Sequence, residues 1–196
     1  MLLKTKNLMK AFGGLKAIDK VDFELPAGEI RGIIGPNGSG KSTFFNLVSG
    51  VYDPDPGSYI EFDGHDITNE PPYKVGALGL ARTFQLLRLY QDMSVINNVM
   101  SGYHTRVKYK FFDAVIGRKK IWDQEKEIKD EMMELLSFVG LADYAELNAS
   151  ELSGGQRRLL VLARAIAMKP KLLMLDEPAA GLSPVNVDNL MKIIMQ

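Results

Sequence analysis

The chain has 196 residues, which is enough for one domain with a sizeable core, or for a core with a small added subdomain, and too few for two full domains. Its 24 acidic and 24 basic residues cancel to a formal net charge of +0, so the overall charge predicts no nucleic-acid partner. There is no cysteine, which excludes disulfides, thiol catalysis and cysteine-bound zinc.

The N-terminal third predicts three strands and one helix. Residues 21–25, VDFEL, alternate apolar and acidic side chains, which indicates a half-buried strand. Residues 29–35, EIRGIIG, predict a short buried strand, and residues 41–50, KSTFFNLVSG, predict a helix that ends at Gly50. Residues 58–64, SYIEFDG, predict a further alternating strand that an Asp-Gly turn closes.

The rest of the chain predicts helices followed by one more strand. From about residue 94 to residue 140 the sequence is helical in character. Apolar side chains recur there at helical spacing, at Ile121, Ile128, Met132, Leu135 and Val139. Residues 157–170, RRLLVLARAIAMKP, predict a second helix that proline ends, and residues 171–178, KLLMLDEP, predict an apolar strand with two acids at its tip. Strands and helices in this order are typical of an α/β protein.

A glycine-rich loop lies between the predicted strand 29–35 and the helix after it. Residues 35–43, GPNGSGKST, match G-x-x-x-x-G-K-[ST] in the strand-to-helix context that this pattern requires. The glycines let successive amides point to one centre at a helix N-terminus, so the loop is predicted to bind a polyphosphate. Lys41 is expected to contact the terminal phosphates and Ser42 to bind Mg²⁺. The alternative is a glycine-rich turn without a ligand. The candidate binding residues are Gly35, Asn37, Gly38, Ser39, Gly40, Lys41, Ser42 and Thr43.

Two acids stand at the end of the last predicted strand. Asp176 can hold Mg²⁺ through water, and Glu177 can accept a proton from an attacking water. Neighbouring side chains of a strand point to opposite faces, so both acids can serve one site only where the strand gives way to a loop, as Pro178 indicates. The alternative is a pair of solvated acids at a strand end.

A second candidate anion site precedes the helix of residues 157–170. In LSGGQ, residues 152–156, Ser153 occupies an N-cap position, and Gly154 and Gly155 leave the first amides of the helix accessible. Two anion sites far apart in the sequence indicate that one nucleotide is held between two surfaces. The alternative is an ordinary capped helix with glycines at its entry.

Taken together, these motifs resemble the ATP-binding subunit of an ABC transporter over nearly the whole chain. GPNGSGKST resembles the Walker A loop, Gln85 in ARTFQ the Q-loop glutamine, LSGGQ the family signature and LLMLDEP the Walker B strand. The resemblance implies an α/β fold: a P-loop NTPase core with a mostly parallel central sheet, an N-terminal antiparallel β-subdomain and an inserted helical subdomain. Within a single nucleotide-binding domain, 1–196, it implies an ATP-binding core with the β-subdomain at 1–85 and 155–196, and a helical subdomain at 86–154 that bears the signature at its end.

The resemblance also implies ligands and residue roles. The implied cofactors are ATP and Mg²⁺. The implied metal-binding residues are Ser42, Gln85 and Asp176, and the implied catalytic residues are Glu177, Lys41 and Gln85. Phe12 lies where the family keeps an aromatic residue that stacks on adenine; the alternative for it is a phenylalanine at the edge of the core. In the family two subunits pair head to tail. The signature residues of one chain would therefore face the γ-phosphate bound by the other; they are Ser153, Gly154, Gly155 and Gln156.

Further stretches narrow the resemblance within the family. FGGLKAIDKV, ARTFQ followed by LYQDMSVINNV, and DEPAAGLSP together resemble the ATPases that energise uptake of branched-chain or other hydrophobic amino acids. Lipopolysaccharide-exporting ATPases share much of this pattern but more typically carry proline where this chain has Phe84. The implied partners are a second ATPase subunit, transmembrane permease subunits and, indirectly, an extracytoplasmic substrate-binding protein. The implied location is the cytoplasmic face of the cell membrane, as a peripheral subunit.

The C-terminal part departs from the family pattern. The family continues through another strand to a switch histidine that contacts the γ-phosphate, and neither His65 nor His104 lies near that position. The sequence is therefore expected to be C-terminally incomplete, with hydrolysis impaired or absent in this chain. A nucleotide-binding fragment without turnover is the corresponding alternative function.

Overall fold

A computed structural model describes residues 1–83, 89–103, 118–180 and 184–195. The chain divides into two compact units, Met1–Leu80 and Ala81–Gln196. Among the described residues, no helix combines the length and apolar character required to cross a membrane.

The first unit contains an antiparallel sheet with the strand order β2-β1-β3-β4. Its strands are β1 (Leu3–Phe12), β2 (Leu15–Leu25), β3 (Tyr59–Phe62) and β4 (His65–Asp66). The register of β1 against β2 runs from Leu3 opposite Leu25 to Phe12 opposite Leu15. The predicted alternation is confirmed, since Leu25 is buried while Asp22 and Glu24 are exposed.

Two turns in the first unit follow the predicted chemistry. The hairpin between β3 and β4 turns at Asp63 and Gly64, whose φ angles of 49° and 77° match the two positive values of a type I′ turn. Helix α1 (Lys41–Val48) ends as predicted, because Gly50 has a φ of 71° and its amide bonds back to the carbonyl of Leu47 at 3.1 Å. A short helix α2 (Pro72–Ala77) follows β4.

The prediction of a buried strand at residues 29–35 is wrong. The structure assigns no strand there, and Ile30 and Ile34 are 65% and 95% exposed. An apolar run can form a strand only where a neighbouring backbone offers hydrogen bonds, and residues 29–35 pair with neither sheet of the described chain.

The described residues of the second unit form a two-stranded sheet and four α-helices. Strands β5 (Leu80–Thr83) and β6 (Leu172–Leu175) pair with each other. The helices are α3 (Val95–Tyr103), α4 (Arg118–Phe138), α5 (Gly154–Ala167) and α6 (Pro184–Met195). The predicted helices and the predicted Walker B-like strand are thus confirmed as elements, and so is the α/β fold class.

The helices of the second unit share one apolar core. Met132 on α4 and Val139 just after its end are 1% and 3% exposed, and Ile128 and Leu135 pack against the same cluster, as their spacing predicted. The side chain of Ile121 lies outside the described residues. Helices α3 and α5 meet at Gly102, where a Cβ atom would clash with the backbone carbonyl oxygen of Arg164. A glycine is therefore required for this close helix approach.

Two backbone segments of the second unit form a short ladder, here called the 91–96/145–150 ladder. Its four hydrogen bonds measure 2.9 to 3.1 Å and join Val95 to Leu147, Ile96 to Ala145, Ala149 to Met93 and Ser150 to Gln91. Asn98, fully buried, strengthens one side of it. The side chain of Asn98 exchanges hydrogen bonds of 3.0 Å with both backbone groups of Tyr90. The ladder ties the segment after β5 to the residues that lead into α5.

Candidate functional site

The glycine-rich loop of the first unit leads directly into α1. Gly38 and Gly40 have φ angles of 83° and 91°, a left-handed conformation that favours glycine. A Cβ atom on Gly40 would clash with the carbonyl oxygen of Ala17 and lie 2.9 Å from Cδ1 of Ile18. Gly40 is the N-cap residue of α1, so the loop can lie against β2 at this point only because no side chain intervenes.

Lys41 closes the loop on itself. Its Nζ donates hydrogen bonds to the carbonyl oxygens of Gly35 at 2.7 Å and of Pro36 at 2.8 Å. The remaining candidate side chains lie at the surface: Asn37, Ser39 and Ser42 are exposed and Thr43 is half-buried. The loop therefore presents an ammonium group, hydroxyl groups and a helix N-terminus to solvent, a combination suited to a phosphate-bearing ligand.

Phe12 is a surface residue at the end of β1 and is 45% exposed, which argues against the edge-of-core alternative. Its ring meets the ring of Tyr52 edge to face, with centroids 5.5 Å apart at 74°. The ammonium of Lys10 lies 5.6 Å from the centroid of the Phe12 ring and donates a hydrogen bond of 2.6 Å to the carbonyl oxygen of Asp53. Phe12 is thus held by neighbours while a large part of its surface stays accessible.

In the second unit, Ser153 caps α5 as the sequence predicted. Its Oγ accepts a hydrogen bond of 3.3 Å from the amide of Gln156, and the Gln156 side-chain oxygen accepts one of 2.9 Å from the amide of Ser153. This is a capping box. Gly154 is exposed and has nothing within 4 Å of where a Cβ would lie, and Gly155 is half-buried. The entry of α5 is therefore ordered and open to a ligand.

The two acids of the second unit occupy different environments. Strand β6 ends at Leu175, so both acids follow it in the loop, which meets the condition for serving one site. Asp176 is 13% exposed and accepts a hydrogen bond on Oδ2 from Nη2 of Arg82 at 3.0 Å. Glu177 is exposed and has a φ of 47°, an uncommon conformation for a non-glycine residue. Asp176 is thus not one of a pair of solvated acids. Gln85 lies outside the described residues.

Sequence reasoning missed the residues that support these groups. Tyr52 and Lys10 support Phe12, and Arg82 binds Asp176. The contacts of Phe12 with Tyr52 and of Asp176 with Arg82 join positions far apart in the chain, so no local pattern pointed to them. Lys10 is only two residues from Phe12, but its ammonium group is held by the distant carbonyl oxygen of Asp53. The one available signal was Arg82 itself, a charged residue in a four-residue strand whose other members are Leu80, Ala81 and Thr83, since a charged residue is buried only with a partner.

A sequence profile described as ABC transporter matches residues 18–180. The chain belongs to the ABC transporter family. Within this family it is 44% identical over 188 residues to the probable branched-chain amino acid transport ATP-binding protein LivG of Archaeoglobus fulgidus, covering 94% of this chain and 70% of that protein. It is 37% identical over 195 residues to the high-affinity branched-chain amino acid transport ATP-binding protein LivG of Escherichia coli K12, covering 100% of this chain and 76% of that protein.

Solved ABC transporter structures show the same architecture. The ADP conformation of the ATP-binding cassette MJ1267 superposes with a TM-score of 0.82 at 34% identity, covering 99% of this chain and 75% of that chain. This similarity confirms the predicted P-loop NTPase fold. Membership of the family also confirms the predicted enzyme class, a transport ATPase, and its nucleotide ligand.

Proposed function

We propose that this chain is the Mg²⁺-dependent ATPase subunit of a system that takes up branched-chain or other hydrophobic amino acids. The observation that carries the proposal is the Lys41-closed phosphate loop on a chain that matches LivG proteins over nearly its whole length. The boundaries 1–85 with 155–196 for the ATP-binding core and 86–154 for the helical subdomain are part of the proposal.

The residues of the Walker A loop fit a nucleoside triphosphate. Gly35 and Ser39 face each other closely, since a Cβ on Gly35 would lie 2.6 Å from Oγ of Ser39, so the loop is tight enough for its amides to converge. Lys41 donates to two neutral carbonyl oxygens, and phosphate oxygens are stronger acceptors for an ammonium group. Lys41 therefore exchanges these carbonyl partners for phosphate when ATP binds.

The donor set also fits Mg²⁺, which prefers oxygen ligands and keeps several waters. Ser42 offers an exposed hydroxyl in the first turn of α1, and Asp176 offers a carboxylate; Gln85 is proposed as a third ligand. When bound, Mg²⁺ neutralises and orients the β- and γ-phosphates. Glu177, exposed just beyond β6, accepts the proton of the attacking water as general base.

The accessible entry of α5 supports a composite site in a head-to-tail dimer. Ser153, Gly154, Gly155 and Gln156 of one subunit complete the γ-phosphate site of the other, because helix-terminal amides stabilise an anion. The proposed partners are a second ATPase subunit, transmembrane permease subunits and, through them, an extracytoplasmic substrate-binding protein. The subunit then lies peripherally on the cytoplasmic face of the membrane.

Transport is tested by purifying the tagged chain from its source organism together with its membrane partners and reconstituting the complex in liposomes. We expect ATP-driven uptake of labelled leucine that requires Mg²⁺ and is lost in a complex carrying Lys41→Ala. Labelled lysine, which is charged, serves as the control solute and should not accumulate. ATP turnover without leucine uptake would contradict the proposed substrate class, and lipopolysaccharide release would indicate an export system.

Base stacking by Phe12 is tested by comparing two ligands. Phe12→Ala is expected to weaken ATP binding by about 2- to 10-fold, because aromatic stacking is worth about 0.5 to 1.5 kcal/mol beyond area burial. Binding of tripolyphosphate, which has no base, should not change. Calorimetric titration of both ligands measures the difference, with Tyr73→Ala, an exposed aromatic residue of the same unit, as the control. Equal weakening of both ligands would show that Phe12 shapes the loop instead of stacking.

A further inference from the structure

Arg82 forms a buried ion pair with the aspartate at the end of the Walker B strand. Arg82 lies on β5, and Asp176 is the first residue after β6, the strand paired with β5. Nη2 of Arg82 and Oδ2 of Asp176 are 3.0 Å apart, and the two side chains are only 7% and 13% exposed. By contrast, the ion pair of Lys129 and Glu146 in the same unit is 52% and 75% exposed.

Burial makes this pair energetically different from a surface pair. Exposed ion pairs contribute little to folding stability, whereas removing one member of a buried pair leaves a desolvated charge without compensation. Arginine stays protonated throughout the working pH range, so its positive charge is a permanent feature of the site. Strand pairing fixes the backbone of Arg82 and the strand that ends just before Asp176, and the guanidinium in turn restricts rotation of the Asp176 carboxylate.

We propose that Arg82 is a positioning residue that sets the orientation of the Asp176 carboxylate for Mg²⁺. Arg82 donates its hydrogen bond to Oδ2 of Asp176. This bond restricts rotation of the carboxylate about the Cβ–Cγ bond and thereby sets the direction in which the second oxygen, Oδ1, points. Partners of this kind orient the groups that face a metal and change metal affinity without touching the metal. The inference rests on the proposed function, in which Asp176 helps to hold Mg²⁺.

The test compares nucleotide binding with and without the metal. A fluorescent ATP analogue is titrated into the parent chain and into Arg82→Met, once with Mg²⁺ and once with EDTA, and the ratio of the two affinities gives the metal-dependent gain. We expect Arg82→Met to lower this gain about tenfold and to leave the affinity in EDTA within about twofold. Mn²⁺ binding in the presence of a non-hydrolysable ATP analogue, followed by electron paramagnetic resonance, should weaken by the same factor.

Two further variants separate positioning from packing. Lys129→Met removes the cation of the exposed pair in the same unit and should change none of these values. Arg82→Lys keeps a cation but not the planar guanidinium, and should recover part of the metal-dependent gain. If Arg82→Met does not unfold cooperatively on heating, Arg82→Lys alone is compared with the parent, and an unchanged gain in it overturns the proposal.

Asp176→Asn distinguishes failure of this inference from failure of the proposed function. If Asp176→Asn leaves the metal-dependent gain intact, Asp176 does not serve the metal and the proposed function is wrong at this residue. If Asp176→Asn abolishes the gain and Arg82→Met does not lower it, Asp176 serves the metal without Arg82, and the positioning role is wrong. Equal losses with Mg²⁺ and with EDTA in Arg82→Met would likewise assign Arg82 to packing.

Discussion

Glu177→Gln is expected to lower ATP turnover by about 10²- to 10⁴-fold, the contribution of a positioned general base. The amide of glutamine has the size and shape of the carboxylate but cannot accept the proton of the attacking water. Glu177 is exposed at the surface and holds a φ of 47°, which glutamine tolerates about as well as glutamate because both have the same unbranched stem. ATP affinity should therefore stay within about twofold while hydrolysis is lost.

Release of phosphate from the reconstituted complex with Mg²⁺ and ATP measures turnover, and calorimetric titration of the purified chain measures ATP affinity. Glu146→Gln is the matched control, since it makes the same chemical change at a carboxylate of the same unit that is 75% exposed. A dimer that accumulates with ATP in the Glu177→Gln variant, followed by light scattering, would also support the composite site. Turnover within threefold of the parent would contradict the assignment of Glu177 as the base.

Gly40→Ala is expected to weaken ATP binding by about 10²-fold, a loss comparable to the one that a misplacement of about 1 Å causes in catalytic rate. Gly40 combines a φ of 91° with a position where a Cβ would meet the carbonyl oxygen of Ala17. The methyl group therefore forces the loop away from β2 and carries the amides and Lys41 with it. Equilibrium titration with ATP checks the loss.

Gly57→Ala provides a control with the same backbone conformation. Gly57 also has a φ of 91°, but a Cβ there would meet Asn7 and Met9 at an ordinary distance of 3.5 Å. This variant should cost about 1 to 2 kcal/mol of folding stability from the left-handed conformation alone and should keep its ATP affinity. Urea unfolding of both variants separates the two effects. If Gly40→Ala binds ATP as the parent does, the contact with Ala17 does not shape the loop.

Local sequence rules predicted the elements whose structure depends on nearby residues. Ser153 and Gln156 form their capping box within one turn of helix, and Gly50 ends α1 through its own backbone conformation. The alternation in β2 is likewise local, although its partner strand is the adjacent β1. Such features depend on interactions between residues close together in the chain, so the spacing of residue types is enough to predict them.

Features that need a distant partner could not be predicted. Residues 29–35 have the composition of a buried strand, yet composition does not supply the neighbouring backbone that a strand requires. The motif at the end of the last predicted strand identified Asp176 as a site residue, but the pairing of Asp176 with Arg82 depends on β5 and β6 lying side by side. The contact of Phe12 with Tyr52 also arises only after the first unit has folded.

The 91–96/145–150 ladder joins its two segments through main-chain groups. Every residue except proline has a main-chain N–H donor, and every residue has a carbonyl acceptor. These hydrogen bonds therefore persist when side chains are exchanged. The side chain of Tyr90, beside the ladder, is 56% exposed and can change with little cost to the core. The side chain at position 90 can therefore be exchanged for another without breaking the main-chain connection between residues 91–96 and the residues that precede the signature motif.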